Sequence, residues 1–324
     1  MLSFLTKFIT RHAWLRKAIQ RIYCIVSQRV ALLPPLGVAV ELTYACNWRC
    51  KMCFHHRPEV HDKMARTISD RKSEELTTME IKGLIDELAG MGVRHVSLHG
   101  GEPLMRPDFV EILEYAAGRG LHASAVTNAT LITEKVAETL VRFMPDLGVS
   151  IHGGEKTHDA VTGVPGSYLK SMAGVRLLQA TKKRLGSETP VIHLGCVVSA
   201  VNVAHLDEMV AVTAELGLKT FGFMLPTFTS QRAMDDTLAP LPAPCGKGCF
   251  LGDSLVDPSV IKVDPSVYNA SIERVKAAAV RTGVSTEVYP FTSEQEIAAY
   301  FANPYSSLGP GCDYLWYSSV VSAF

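Results

Sequence analysis

Neither sign of charge prevails in this 324-residue chain, where 32 Lys and Arg face 32 Asp and Glu. That balance removes any global electrostatic case for a nucleic-acid partner. No uncharged apolar run approaches the ~20 residues that a membrane-crossing helix needs. A secretory leader is equally missing, because Lys7, Arg11, Arg16, Lys17 and Arg21 interrupt every candidate apolar core. Acidic residues are absent from positions 1–40, which hold six basic side chains and leave 26 basic against 32 acidic in the remainder. The expectation is a cytoplasmic protein whose eight cysteines stay reduced. There, clustered thiols bind metal more readily than they cross-link.

What the chain does have is a regular alternation from residue 36 onward. "GVAVELT" predicts a strand, and "TTMEIKGLIDELAGMG" predicts a helix opened by a capping box of Thr77 and Glu80 and followed by Gly92. Strands "VRHVSLH", "HASAVTN", "LGVSI", "VIHLGCVVS" and "TFGFML" then alternate with helices "PDFVEILEYAAGRG", "TEKVAETLVRF", "YLKSMAGVRLLQATKKRLG" and "VAHLDEMVAVTAELG". Six strands alternating with helices predict an α/β fold of parallel strands, too short for a closed eight-stranded barrel and therefore a partial (β/α)6 barrel. In such sheets the chemistry gathers at the carboxyl ends of the strands. Those ends carry the loop with Cys46, Cys50 and Cys53, then "HGGEP", "TNAT", "SIHGG" and "VVSAVN".

Three cysteines within eight residues suit a soft metal or a compact cluster. One reading is structural zinc with His55 or His56 as fourth ligand. The other is a [4Fe–4S] cluster held at three corners, with one iron open to a small molecule. Zinc modules mostly draw their ligands from two separated pairs, which favours the cluster.

Cys46-x3-Cys50-x2-Cys53 after the first strand, with Gly100-Gly101-Glu102-Pro103 after the second, resembles the radical S-adenosylmethionine (SAM) enzymes over residues 36–226. The resemblance implies that Cys46, Cys50 and Cys53 ligate three irons and that SAM's amino and carboxylate groups occupy the fourth. Gly100 and Gly101 would admit close backbone approach, and Glu102 would receive the methionine ammonium. Met52 and Phe54 match adenine-contacting positions, and Asn128 and Ser150 match positions that touch the ribose or carboxylate. Loop packing for the first two, and turn capping for the second two, are the structural alternatives. His152 departs from the pattern, since aspartate is frequent there. The implied activity is reductive cleavage of SAM to a 5′-deoxyadenosyl radical that abstracts hydrogen from a substrate. A peptide is the leading substrate, with a lipid, sugar or cofactor precursor as alternative, and an electron donor such as flavodoxin or ferredoxin is implied. A non-catalytic zinc-binding protein is the remote alternative.

The two ends extend this expectation. Cys312 resembles the opening of a SPASM or twitch-like extension with an auxiliary iron–sulfur cluster, for which Cys245 and Cys249 are further candidate ligands; a flexible Pro/Gly-rich loop beside the substrate opening, or cysteines that bind nothing, is the alternative for those two. After Cys312, twelve residues read as a strand pair with no closing glycine or cysteine, which suggests a domain continuing past Phe324; a short C-terminal hairpin is the alternative. Leu5, Phe8, Ile9, Leu15, Ile19 and Ile22 recur at helical spacing beside six basic residues, so residues 1–33 predict a basic amphipathic helix, either docked on the barrel or lying on an anionic membrane. The expected organisation is that helix, a barrel over 34–230, a bridging region over 231–306 and the start of a SPASM/twitch-like domain over 307–324.

Overall fold

The computed structural model describes residues 34–53, 75–226, 258–289, 294–302 and 318–321. The expected N-terminal helix, Phe54, His55, His56, Cys245, Cys249 and Cys312 lie outside those residues. In chain order the elements are β1 (Gly37–Glu41), α1 (Thr78–Gly90), β2 (His95–His99), α2 (Phe109–Gly118), β3 (His122–Thr127), α3 (Glu134–Phe143) and β4 (Asp146–Ser150). There follow α4 (Glu155–Thr162), α5 (Ser167–Leu185), β5 (Val191–Val197), α6 (Glu208–Glu215), β6 (Thr220–Met224), α7 (Pro258–Ile261), α8 (Pro265–Thr282), β7 (Ser285–Tyr289), α9 (Glu294–Ala302) and β8 (Ser318–Val321).

Every strand pairing is parallel, and β1 to β6 lie side by side in chain order, as a partial barrel requires. The six expected strands are all present. Two more extend the sheet, β7 beside β6 and β8 beside β1, to give the order β7-β6-β5-β4-β3-β2-β1-β8. Within the expected C-terminal strand pair, the described strand pairs with β1. The helix expected over 203–217 divides into a short 3₁₀ turn (Val203–His205) and α6. Helix α4 was not expected; its eight residues are too few for a strong periodic signal.

Local chemistry explains the helices. Thr77 accepts a hydrogen bond from the Glu80 N–H while Glu80 Oε2 accepts from the Thr77 N–H, which is the expected capping box on α1. Thr133 caps α3 by accepting from the Val136 N–H, and Asp264 caps α8 by accepting from the Ser266 N–H. The two faces of the sheet differ sharply. Val38, Val40, Val96, Leu98, Leu147, Val149, Leu194 and Phe223 are fully buried in the same core as helix residues such as Ile81, Ile85, Ile112, Leu140 and Val175. The other face carries Ala39, Ser97, His99, Ser124, Gly148, Ser150, Gly195 and Gly222 and is only partly covered. Closed barrels fill that interior with large branched side chains; here small residues leave it open. Among the described residues no helix is long and apolar enough to cross a membrane.

Candidate functional site

The loop after β1 is held from two sides. On one side, the Gly101 N–H donates to Thr43 O (2.7 Å) and the Glu102 N–H to Ala45 O (2.8 Å), so the Gly-Gly-Glu turn prolongs the β1–β2 pairing into the cysteine loop. On the other side, the Arg49 N–H donates to Thr162 O and the Lys51 N–H to Val161 O, at the end of α4. The unexpected helix is therefore one jaw of the clamp. Its closing residue, Gly163, is left-handed (φ 68°) with the position of a Cβ only 2.9 Å from Arg49 O.

This geometry shows why glycine is needed at 100 and 101. The expectation was close backbone approach, and the backbone that approaches is the protein's own. A Cβ on Gly101 would stand 2.4 Å from Ala45 O and 2.6 Å from Tyr44 O. One on Gly100, at φ 146°, would meet Thr43 O at 2.3 Å. The glycines are required first by the packing of one chain segment on another.

Cys46, Cys50, Met52, Cys53, Gly100, Gly101, Glu102, Asn128, Ser150 and His152 all line one cavity of about 320 Å³ at the carboxyl ends of β1 to β6. Of the residues expected around the first cluster and SAM, only Phe54 lies outside the described chain. Sequence reasoning had passed over Trp48, His99, Thr127, Met224 and Pro226, which line the same cavity. The position of His99, immediately before Gly100, was the available signal.

The three thiols are half-buried and form no disulfide with one another. Burial pushes the Cys46 thiol up, partly offset by the Trp48 N–H that donates to its sulfur (3.4 Å). Cys50 is pushed up further, by burial and then by the charges of Cys53 and Cys46. Three neighbouring thiolates are thus unfavourable without a cationic partner, which iron supplies. Among the described residues no group of three His, Cys, Asp or Glu side chains is arranged to hold a single metal ion. Three thiols on one loop, all lining one cavity, fit three corners of a [4Fe–4S] group.

Glu102 is only 1% exposed. Its carboxylate accepts from Thr127 Oγ1 (2.6 Å), the Asn128 N–H (2.7 Å) and the Leu104 N–H (3.1 Å). Burial nevertheless outweighs these bonds and raises its pKa to about 7. The group ties the end of β2 to the end of β3 and still has acceptor capacity facing the cavity. The Asn128 side chain is engaged with the protein: its Nδ2 donates to Asn47 Oδ1 (2.6 Å) and its Oδ1 accepts from the Thr130 N–H and hydroxyl. Helix α5 presses on this turn, with Ser171 donating to Asn128 O and Gly174 against Ala129.

His152 is fixed in the rim. Its backbone N–H donates to His158 Nδ1 (3.1 Å), and its own Nδ1 accepts from the Val197 N–H (3.4 Å). Desolvation holds His152 at about 3 and His158 at about 4, so both rings are neutral. Trp48 meets His158 edge to face at 5.0 Å, and this stack supports the cysteine loop from below. Ser199 and Asn202 bond each other and the ends of β4 and β5; they stabilise the rim and do not line the cavity.

Comparison with known proteins agrees with this arrangement. Residues 40–195 match the family described as the Radical SAM superfamily. The chain is 35% identical over 197 residues to the AdoMet-dependent heme synthase of Methanosarcina barkeri, covering 60% of this chain and 52% of that protein. It is 31% identical over 186 residues to the PqqA peptide cyclase of Gluconobacter oxydans, covering 57% and 47%. The chain thus spans about half the length of these curated relatives. The fold is shared with Streptococcus suis SuiB, solved bound to precursor peptide SuiA, at a TM-score of 0.58 and 15% identity, covering 95% of this chain and 62% of that one. The cysteine loop clamped between the Gly-Gly-Glu turn and α4 lies on the parallel sheet of residues 40–195, the part of the chain that matches the Radical SAM superfamily.

Proposed function

We propose that this chain is a radical SAM enzyme in which Cys46, Cys50 and Cys53 hold three irons of a [4Fe–4S] cluster and the adjoining cavity receives SAM. When bound and reduced, the cluster with SAM supplies a 5′-deoxyadenosyl radical able to take a hydrogen atom from an unactivated carbon. The protein's part is positioning and seclusion. Glu102 attracts the methionine ammonium, and the Gly100–Gly101 turn fixes the cysteine loop over the cavity. Met52 and Phe54 flank the adenine, while Asn128 and Ser150 serve the ribose or carboxylate. The single observation that carries the proposal is the convergence of the three cysteines and the Gly-Gly-Glu-Pro turn on one cavity.

The substrate we favour is a peptide, supported by the named peptide cyclase relative and by the precursor peptide bound to SuiB. A heme or other cofactor precursor is the second reading, supported by the 35% identity to the heme synthase. Cys245, Cys249 and Cys312 are proposed ligands of an auxiliary cluster in a region following the barrel. A flavodoxin or ferredoxin is the proposed electron donor, and the cytoplasm the proposed location, with residues 1–33 docked on the barrel or touching a membrane.

Anaerobic reconstitution should give a brown protein holding about four irons at the first site, and dithionite should release 5′-deoxyadenosine from added SAM. Cys50→Ala should abolish both. One zinc, no iron and no SAM affinity would establish the binding-protein alternative instead.

A further inference from the structure

The open face of the sheet holds an unbroken hydrogen-bonded chain that the radical chemistry does not use. His99 lines the cavity, and its Nε2 lies 2.7 Å from Ser97 Oγ. Ser124 Oγ donates to Ser97 Oγ at 2.9 Å, and His95 Nε2 lies 2.9 Å from Ser124 Oγ. His95 opens β2 and His99 closes it, so the chain runs the length of that strand, about 13 Å. At the far end His95 pairs in register with His122 and feels the charge of Asp146, both at the exposed amino-terminal mouth of the barrel. We propose that His99 exchanges protons with a molecule in the cavity and that Ser97, Ser124 and His95 carry those protons to and from solvent at the opposite mouth.

Three features favour transfer over simple pairing of polar groups. Each member both donates and accepts, because serine hydroxyls rotate and neutral imidazoles carry one N–H and one lone pair. Burial holds both imidazoles below their ordinary pKa, so each stays in that neutral form. The chain also ends at a cavity on one side and at exposed titratable groups on the other, whereas a purely structural ladder of serines would need neither. The transfer balances without electrons. A proton taken by His99 Nδ1 is matched by release of the Nε2 proton to Ser97, of the Ser97 proton to Ser124, of the Ser124 proton to His95 Nε2 and of the His95 Nδ1 proton to water. Each residue ends with the number of protons it began with. The polarity seen, Ser124 donating to Ser97, carries protons toward the cavity, and rotation of the two hydroxyls reverses it.

The inference rests on the proposed function only in placing the reaction at this cavity, and its test needs neither SAM nor reductant. The reconstituted full chain, with no SAM added, is given 5-nitrobenzisoxazole. Removal of that probe's ring C–H proton opens it to a coloured phenolate too weakly basic to carry the proton away. Wild type should turn the probe over repeatedly, and His99→Ala should lose at least tenfold in kcat. Ser97→Ala should keep its first turnover and slow tenfold or more thereafter, giving a burst of one equivalent. Ser97→Thr should abolish the burst, and Ser124→Ala breaks the chain at a second point should Ser97→Ala fold poorly. Wild-type opening no faster than His99→Ala, or steady turnover without a burst in both serine variants, overturns the proposal. Either result leaves the release of 5′-deoxyadenosine as a separate question.

Discussion

Gly101→Ala separates two explanations of the Gly-Gly-Glu-Pro turn. If glycine is there only for a ligand to approach, the variant folds normally and loses SAM binding alone. The packing predicts otherwise. The new Cβ would overlap Ala45 O at 2.4 Å and Tyr44 O at 2.6 Å, both backbone atoms that no rotamer can move aside. Overpacking against fixed atoms costs about 1–3 kcal/mol. Relief by shifting the loop breaks the bonds from Gly101 N–H to Thr43 O and from Glu102 N–H to Ala45 O, at about 1 kcal/mol each. By either route the cost is about 2–3 kcal/mol, a sizeable share of a typical folding free energy of about 5–15 kcal/mol. In urea, with a slope of about 3 kcal/mol per molar for a chain of this size, the midpoint should fall by about 0.7–1 M. The cofactor-free chain should show this loss, and reconstitution should leave it with less bound iron, because the loop bearing Cys46 is no longer registered to β2. Gly195→Ala is the control: its Cβ would meet nothing within 4 Å, so its midpoint should change little or rise. An unchanged midpoint for Gly101→Ala, with SAM binding alone lost, would refute the packing argument.

Three further outcomes follow from the same neighbourhood. Because the folded-state pKa of Glu102 is raised to about 7 from an ordinary 4.5, its contribution to stability is fully present below about pH 4.5 and is lost as pH rises through 7. Glu102→Gln removes that dependence, so urea unfolding from pH 5 to pH 8 should shift the balance toward the variant by up to about 3 kcal/mol; a pH-independent difference would contradict the burial argument. Thr127→Val deletes the 2.6 Å bond to Glu102 and should cost about 2 kcal/mol by the same assay, with a null result excluding that tie between β2 and β3. Gly174→Ala, usually a gain of about 1 kcal/mol in a helix interior, should instead destabilise by about 2 kcal/mol. Its Cβ would lie 2.0 Å from Ala129 O, and a more stable variant would show that α5 does not press on the turn after β3.

The strands and most helices were legible because their signals are local. One strand face carries Val and Leu at every second position, as in Val38, Val40, Val96 and Leu98, and Thr77 with Glu80 marks a helix start within four residues. The cysteine spacing and the Gly-Gly-Glu-Pro turn were equally local, and both reach the cavity. What could not be read depends on partners distant in sequence. Nothing around Gly101 announces that Tyr44 and Ala45 lie against it, and nothing in "EKTHDAVT" announces that its last carbonyls hold Arg49 and Lys51. Asn128 was expected to face a ligand. Its bonds to Asn47 and Thr130 show how a turn-forming residue can line a cavity with its side chain largely engaged elsewhere.

The same distinction bears on the emptiness of the barrel. A second cavity, of about 450 Å³, runs beneath the first and shares Val126, Ser150 and Met224 with it. Gly148, Gly195 and Gly222 line it, and the last two have no neighbour that a methyl group would strike. Packing does not demand glycine at those two positions, and glycine in a strand interior is costly by roughly 0.5–1 kcal/mol relative to alanine. Val126 and Met224, 41% and 42% exposed, stand at its rim where a filled barrel would bury them. A sheet that accepts weaker strands and exposed apolar side chains on its inner face gives up stability in order to keep that volume clear. The clearance adjoins the cavity that the cysteines line, through Val126, Ser150 and Met224, so a molecule entering it would be within reach of the site above.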